Sequence, residues 1–330
     1  MLKYDGFLYG NGLTINLLYK LKKYIPQDKQ YLLNIDDFLK CLIYGQVSKR
    51  EENKVYIGIY KKDTVEKRKY FEILKEDLKY YYQQFDGNIE FVLGQQLFKE
   101  IYTFNFQGII SIFPALYNIW WIILSDYLSF LGLDEKIRTF YESVDNTLGN
   151  PINVWTTNFD LFSEYLNPGH LHGRFLREVN GYQNIIYKFI NNGEQYYYKY
   201  IWGHNGRGKD NSITQLKQYD DYEKYFDFDF FFNFNKQIDN LLIYGMSFQD
   251  AGYIPELRDE YPKYQKASAE GIIDEHILWR VKAMLDSGIL GHFDITYFTE
   301  VEKKHIAEVM EAEKIEKYSL IKSQELEFMI

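Results

Sequence analysis

GFLYGNGLTINLLYKLKKYI, Gly6 to Ile25, sets the reading of the whole chain. The apolar and aromatic run GFLY (6–9) predicts a short strand. GNGLT (10–14) predicts a tight glycine turn. Apolar residues at three- and four-residue spacing through INLLYKLKKYI (15–25) predict an amphipathic helix, stopped by Pro26. Strand, glycine turn and helix together open an α/β chain. Such a turn offers backbone N–H groups and a helix N-terminus to a phosphate. Gly10 and Gly12 permit close backbone approach, Asn11 lies between them, and Thr14 is placed to cap the helix. The dinucleotide fingerprint G-x-G-x-x-G is incomplete, because Ile15 occupies the third glycine position.

Beyond Pro26 the pattern turns helical. DDFLKCLIYGQV (36–47), KRKYFEILKEDLKYYYQQF (67–85), GQQLFKEIYTF (94–104) and DEKIRTFYESVDNTL (134–148) all carry helical periodicity. The apolar segment 108–133 approaches the length of a membrane span. Pro114, Asn118 and Asp126 interrupt it and its flanks are not strongly basic, so it reads as a core or subunit-interface helix. A second α/β stretch begins at INVWTTNFD (152–160) and continues through YYYKYIWGHNG (196–206) to NLLIYGMSFQD (240–250). EHILWRVKAML (275–285) reads as a helix, HFDITYF (292–298) as a strand, and the tail as a helix by propensity. The expected organisation is a first βα unit over 1–29, a helical insertion over 30–150, the rest of the α/β domain over 151–300 and a C-terminal helix over 301–330.

The bulk composition narrows the function. The 330 residues carry a formal net charge of -9, and the basic residues are interleaved with acids, as in KREENK (49–54). Nucleic-acid binding wants clustered Lys and Arg, so neither it nor a membrane surface is expected as a partner. With Cys41 the sole cysteine, neither a disulfide framework nor a Cys-rich zinc site can be built within the chain. The first ten residues lack a basic and apolar leader, which fits a cytoplasmic protein. The abundance of Tyr (32) and Phe (25) makes FDFDFFFNF (226–234) a product of composition rather than an aromatic box.

Three predicted strands end near residues 9, 155 and 244, each running into a loop rich in Gly, Thr, Asn, Ser or Asp. In open parallel α/β sheets ligands bind at the carboxyl ends of strands, so these loops can converge on one crevice. VWTTNFD (154–160) and HLHG (170–173) bring Asn158, Asp160 and His172 close in sequence. A neutral amide such as Asn158 can hold a hydroxyl or a water, and a neutral imidazole such as His172 can accept its proton. Asp160 can fix the loop. His204, in IWGHNG, is a second candidate base. His170 falls on the opposite side of an extended segment, and His276, His292 and His305 read as structural.

The ordered series GNGLT, TTNFD, LHG and YGMSFQD resembles the sirtuin-like family. It is most similar to the bacterial antiphage branch, which includes abortive-infection proteins of the AbiH type and sirtuin-domain NAD-hydrolysing effectors. The resemblance covers about thirty residues between 6 and 250. It implies an α/β fold with a Rossmann-like parallel sheet and a large helical insertion. It implies NAD as substrate, cleaved to nicotinamide and ADP-ribose, with no separate cofactor and no metal. Asn158 then positions ribose or water and His172 is the base. Gly10, Asn11, Gly12, Thr14, Thr157, Asp160, Gly245 and Ser247 contact the dinucleotide. The defence role implies a homo-oligomer or a regulatory or sensor protein as partner. Deacylating sirtuins carry a four-cysteine zinc module, which one cysteine cannot supply, so protein deacylation is not expected. A non-catalytic subunit sensing NAD or ADP-ribose is the alternative. An oxidoreductase fits least, for want of the third glycine and of a strand ending in an acid about 20 residues on.

Overall fold

A computed structural model describes residues 4–60, 63–84, 112–158, 162–170, 174–176, 186–191, 194–197, 237–246, 248 and 275–330. Strand β1 is Gly6–Tyr9, buried at all four positions. Helix α1, Asn11–Leu21, begins directly after Gly10. The Leu13 N–H donates to the Gly10 carbonyl at 3.2 Å, so the turn itself starts the helix. Thr14 therefore lies inside α1 and does not cap it, a correction to the sequence expectation.

Strands β2 (Asn153–Thr156), β3 (Gly169–His170), β7 (Ile238–Tyr244), β8 (Leu290–Tyr297) and β9 (Tyr318–Lys322) join β1 in a sheet of order β3-β2-β1-β7-β8-β9. Every pair is parallel. β3 adds two residues to a sheet carried by five longer strands. Strands β4 (Arg174–Leu176), β5 (Ile186–Asn191) and β6 (Glu194–Tyr197) lie outside this sheet, and β5 pairs with β6 antiparallel. In the main sheet, strand order climbs away from β1 on one side and from β7 on the other. Tyr9 is level with both Thr156 and Tyr244, so the three carboxyl ends meet at one edge, where the order reverses.

The hydrophobic pattern explains this arrangement. A parallel strand covered on both faces reads as a continuous apolar run, and LLIY at the end of β7 is buried throughout. Helix α7 (Glu275–Asp286) packs Ile277, Val281 and Met284 into a core shared with Leu241, Ile243 and Phe293. Helix α8 (Glu300–Ala312) adds Ile306, Val309 and Met310.

The expected helix over 301–330 is corrected as well: α8 ends at Ala312 and β9 follows. Lys314 takes a left-handed φ of 57°, and the Ile315 N–H closes back on the Met310 carbonyl at 2.9 Å. That wide closure stops a helix. The ladder to β8 and burial of Ile315 then outweigh the helical propensity of the tail. The start of α8 is equally defined. The Thr299 hydroxyl accepts from the Glu302 N–H at 3.1 Å, and the Glu302 carboxylate accepts from the Phe298 N–H at 2.7 Å. Thr299 is the N-cap, while Glu302 reaches back past it to the preceding residue rather than to the cap's own N–H. Thr299→Ala is expected to cost about 1 kcal/mol in chemical denaturation, and an unchanged midpoint would remove the cap from the stability account.

The chain divides into two compact units, and the division falls within α1, after Leu17. The sheet unit takes Met1–Leu17, Glu135–Arg174 and Lys188–Ile330, and the other takes Leu18–Asp134 and Phe175–Tyr187. Helix α6 (Asp134–Leu148) thus belongs, from Glu135 on, with the sheet rather than with the helical stretch. In the helical unit, α2 (Ile35–Ile43), α3 (Lys49–Tyr60), α4 (Val65–Gln84) and α5 (Ile112–Phe130) are described. α5 covers most of the apolar segment and buries Ile119 through Leu124. Its Trp120 indole N–H donates to the Leu32 carbonyl at 2.8 Å. Among the described residues no helix is long and apolar enough to cross a membrane. The predicted helix 94–104 and the aromatic run 226–234 lie outside the described residues.

Glu51 ties this unit's entry loops to α3. Its carboxylate accepts from Lys29 at 3.0 Å, from the Tyr31 hydroxyl at 2.7 Å and from the Ser48 N–H at 2.8 Å. Partial burial pushes its pKa up. The bonds from Tyr31, Ser48 and Lys29 outweigh that and hold it below the ordinary glutamate range. A carboxyl with a depressed folded pKa stabilises above its unfolded pKa and loses that contribution as pH falls through the folded one. Glu51→Gln is therefore expected to flatten the fall of stability over roughly pH 5 to 3. Urea unfolding across that range checks it, and an acid limb as steep as wild type would count against the assignment.

Candidate functional site

The site begins with two glycines in backbone contact. Gly245, at the end of β7, has a φ of 66°, the left-handed region that glycine enters freely. A Cβ placed on Gly12 would strike the Gly245 Cα and come within 3.1 Å of its carbonyl oxygen and of the Phe298 ring. A Cβ on Gly10 would lie 2.8 Å from the Gly245 oxygen. The Gly10 N–H donates to the Tyr244 carbonyl at 2.9 Å and the Gly12 N–H to the Gly245 carbonyl at 3.1 Å. The close approach that these glycines allow is thus made by the β7 loop, and those two donors already have protein acceptors.

The β2 end joins the same turn. The Thr157 N–H and the Thr156 hydroxyl both donate to the Tyr9 carbonyl, at 3.1 and 3.0 Å. The Thr156 hydroxyl also accepts from the Asn158 N–H at 2.9 Å. The Asn158 side-chain amide donates to the Thr14 hydroxyl at 3.1 Å, across 144 positions of sequence. Thr14 and Asn158 are both buried, Asn158 being 1% exposed. Anchoring the amide nitrogen on Thr14 also sets the direction of its acceptor oxygen, which lies on the opposite branch of the group. Asn11 is exposed at the first position of α1.

A fourth strand end completes the group. The Thr296 hydroxyl of β8 accepts from the Gly245 N–H at 3.0 Å, and the Phe298 ring lies edge-on to Tyr244 with centroids 6.1 Å apart. The Tyr244 hydroxyl accepts from the Asn16 amide of α1 at 2.7 Å. Burial pushes the Tyr244 phenol up to about 12, the Asn16 bond opposing it, so Tyr244 stays neutral. Thr156, Thr296 and Phe298 were not singled out from the sequence. Thr296 could have been, as a hydroxyl near the end of an alternating strand. Phe298 had no local signal, because its neighbour Gly12 lies 286 positions away in the chain.

Gly10, Asn11, Gly12, Thr14, Thr157, Asn158 and Gly245 all fall at this edge. His172, Asp160, Ser247 and His204 lie outside the described residues, as does Gly173, while His170 forms the end of β3 beside Thr156. Elsewhere, His292 has the Asp294 carboxylate at 3.1 Å and the Ser319 hydroxyl at 3.0 Å, both at Nε2. A Ser-His-Asp relay needs opposite ring nitrogens, so this cluster is not one. Among the described residues no group of three or more His, Cys, Asp or Glu could hold a metal ion.

What the described edge offers is uncharged: amides, hydroxyls and glycine backbone. Such groups orient a polar ligand through hydrogen bonds, while proton transfer requires a titratable partner. No family model matches the chain, and no curated protein or solved structure matches it.

Proposed function

We propose that the chain is an NAD glycohydrolase. It cleaves the bond between nicotinamide and ribose, releasing nicotinamide and ADP-ribose, with NAD as substrate and no separate cofactor. The observation that carries this reading is the junction of Asn158 with the glycine turn. The amide is fixed on Thr14 where the loops after β1, β2 and β7 meet, at the point of strand-order reversal. In doubly wound parallel sheets a dinucleotide lies at such a point, which supports the reading. The nicotinamide of NAD is a good leaving group. Catalysis then needs a ribose held still, a placed water and a base. Asn158 would hold the ribose hydroxyl or the water, and His172 would take the proton. Resemblance to the antiphage sirtuin-like branch supports an abortive-infection role, in the cytoplasm, under control of a homo-oligomer or a regulatory partner.

The test is incubation of the purified chain with NAD, alone and with lysate of phage-infected cells, nicotinamide release being followed by chromatography. Release supports the reading. Intact NAD in both mixtures, with ADP-ribose still bound, transfers support to the second reading, a non-catalytic NAD or ADP-ribose sensor. One observation favours that alternative: Asn158 is 1% exposed, and a residue that handles substrate needs access.

A further inference from the structure

Where β7 leaves the sheet, its loop makes two left-handed steps, Gly245 at φ 66° and Phe248 at φ 48°. Glycine takes the first without strain. A bulky aromatic residue rarely takes the second and keeps it only when its surroundings over-determine it. Two anchors are present. The Phe248 side chain is 1% exposed and packs in the core of the sheet unit. The Phe248 carbonyl lies 2.9 Å from Nε2 of His305. A carbonyl can only accept, so Nε2 carries the hydrogen and His305 donates.

His305 comes from a rigid element. The Thr299–Glu302 cap fixes the first turn of α8, and Ile306, Val309 and Met310 seat the helix in the core. The helix is therefore held without His305, whose side chain bonds the carbonyl of the residue with the strained φ. Two residues before that strained step, Met246 abuts the glycine turn: its Cγ lies 2.8 Å from where a Gly10 Cβ would stand. Phe248 is only two positions from Met246 in the chain, so its anchoring by His305 lies close in sequence to the glycine turn.

We propose that His305 is a positioning residue for the dinucleotide: by donating to the Phe248 carbonyl it holds Phe248, three positions after Gly245, at the edge where the dinucleotide would lie. The proposal rests on the nucleotide-binding reading above, and goes beyond it by assigning a residue of α8 to ligand affinity. It acts through the loop, so binding rather than chemistry should respond.

The test compares wild type with His305→Ala and His305→Gln, the latter keeping an N–H donor of similar reach. Calorimetry with ADP-ribose gives Kd without requiring turnover, and NAD cleavage gives KM and kcat. His305→Ala is expected to raise both Kd and KM about tenfold, with kcat and Tm near wild type, the size expected for one lost hydrogen bond that orders a loop. His305→Gln should recover most of the loss. The assignment is overturned if the alanine variant binds ADP-ribose as wild type does, or if Tm and kcat fall together while Kd stays put. Wild type that binds neither ADP-ribose nor NAD defeats the nucleotide reading itself, and this assignment with it, in a result distinct from the other two.

Discussion

Asn158→Ala is expected to lower NAD cleavage by about 10²–10³-fold while ADP-ribose binding stays within about threefold of wild type. The expectation follows from where the amide sits. Its nitrogen is committed to Thr14 at 3.1 Å, in a buried junction linking the β2 loop to α1. A group so held brings its acceptor oxygen to one place, and on the glycohydrolase reading that pre-arrangement would serve a ribose hydroxyl or a water before any ligand arrives. Alanine removes the oxygen and leaves the Thr14 hydroxyl without this donor, so a stability loss of about 1–2 kcal/mol should accompany the change. The two effects separate by measuring unfolding in urea beside nicotinamide release at a temperature where the variant is folded. Cleavage at the wild-type rate by a folded Asn158→Ala protein would sink the catalytic assignment. An inactive wild type that binds ADP-ribose as tightly as the variant would point to the sensor.

Gly12→Ala is expected to destabilise the fold by about 3 kcal/mol or more, through overpacking. A new methyl at position 12 would strike the Cα of Gly245, with the Gly245 oxygen and the Phe298 ring each 3.1 Å away. A flexible side chain could swing aside, but the obstruction at Gly245 is backbone. That backbone is held on both sides by the Gly12 N–H to its carbonyl and by its own N–H to Thr296. Relief requires separating α1 from the β7 end, which opens this edge of the sheet too. Gly45→Ala serves as the comparison. Gly45 also has a φ of 66°, but open space surrounds its Cβ position, so its cost should be about 1–2 kcal/mol from the backbone alone. Equal losses at the two positions would show that steric contact with Gly245 contributes nothing.

Much of this organisation was legible in the sequence because it rests on local signals. GFLY reads as a strand from its apolar run, GNG as a turn from its glycines, and the end of β7 from YG after three apolar residues. Parallel strands buried on both faces advertise themselves by continuous hydrophobicity. The convergence of loop residues after β1, β2 and β7 followed from the general rule for such sheets, and the register of Tyr9 with Thr156 and Tyr244 realises it.

The tertiary structure decided what depends on partners distant in the chain. The glycine turn starts α1 at Asn11 and leaves Thr14 inside it, and the partner its hydroxyl then finds, the Asn158 amide, lies 144 positions away. The tail could not be read from propensity, because β8 offers Tyr318–Lys322 a ladder that only a folded sheet presents. Gly12 reads in the sequence as a glycine of a phosphate-type turn, and the structure adds that Gly245 occupies the space where a side chain would go. His305 read as an ordinary helical histidine, and its bond to a strained carbonyl 57 positions earlier exists only once α8 packs beside the β7 loop. Sequence by itself determined the elements and the edge at which they meet, since both arise from hydrophobic pattern and turn chemistry. The division of labour among residues at that edge came from packing, which brings together groups whose pairing leaves no trace in local spacing.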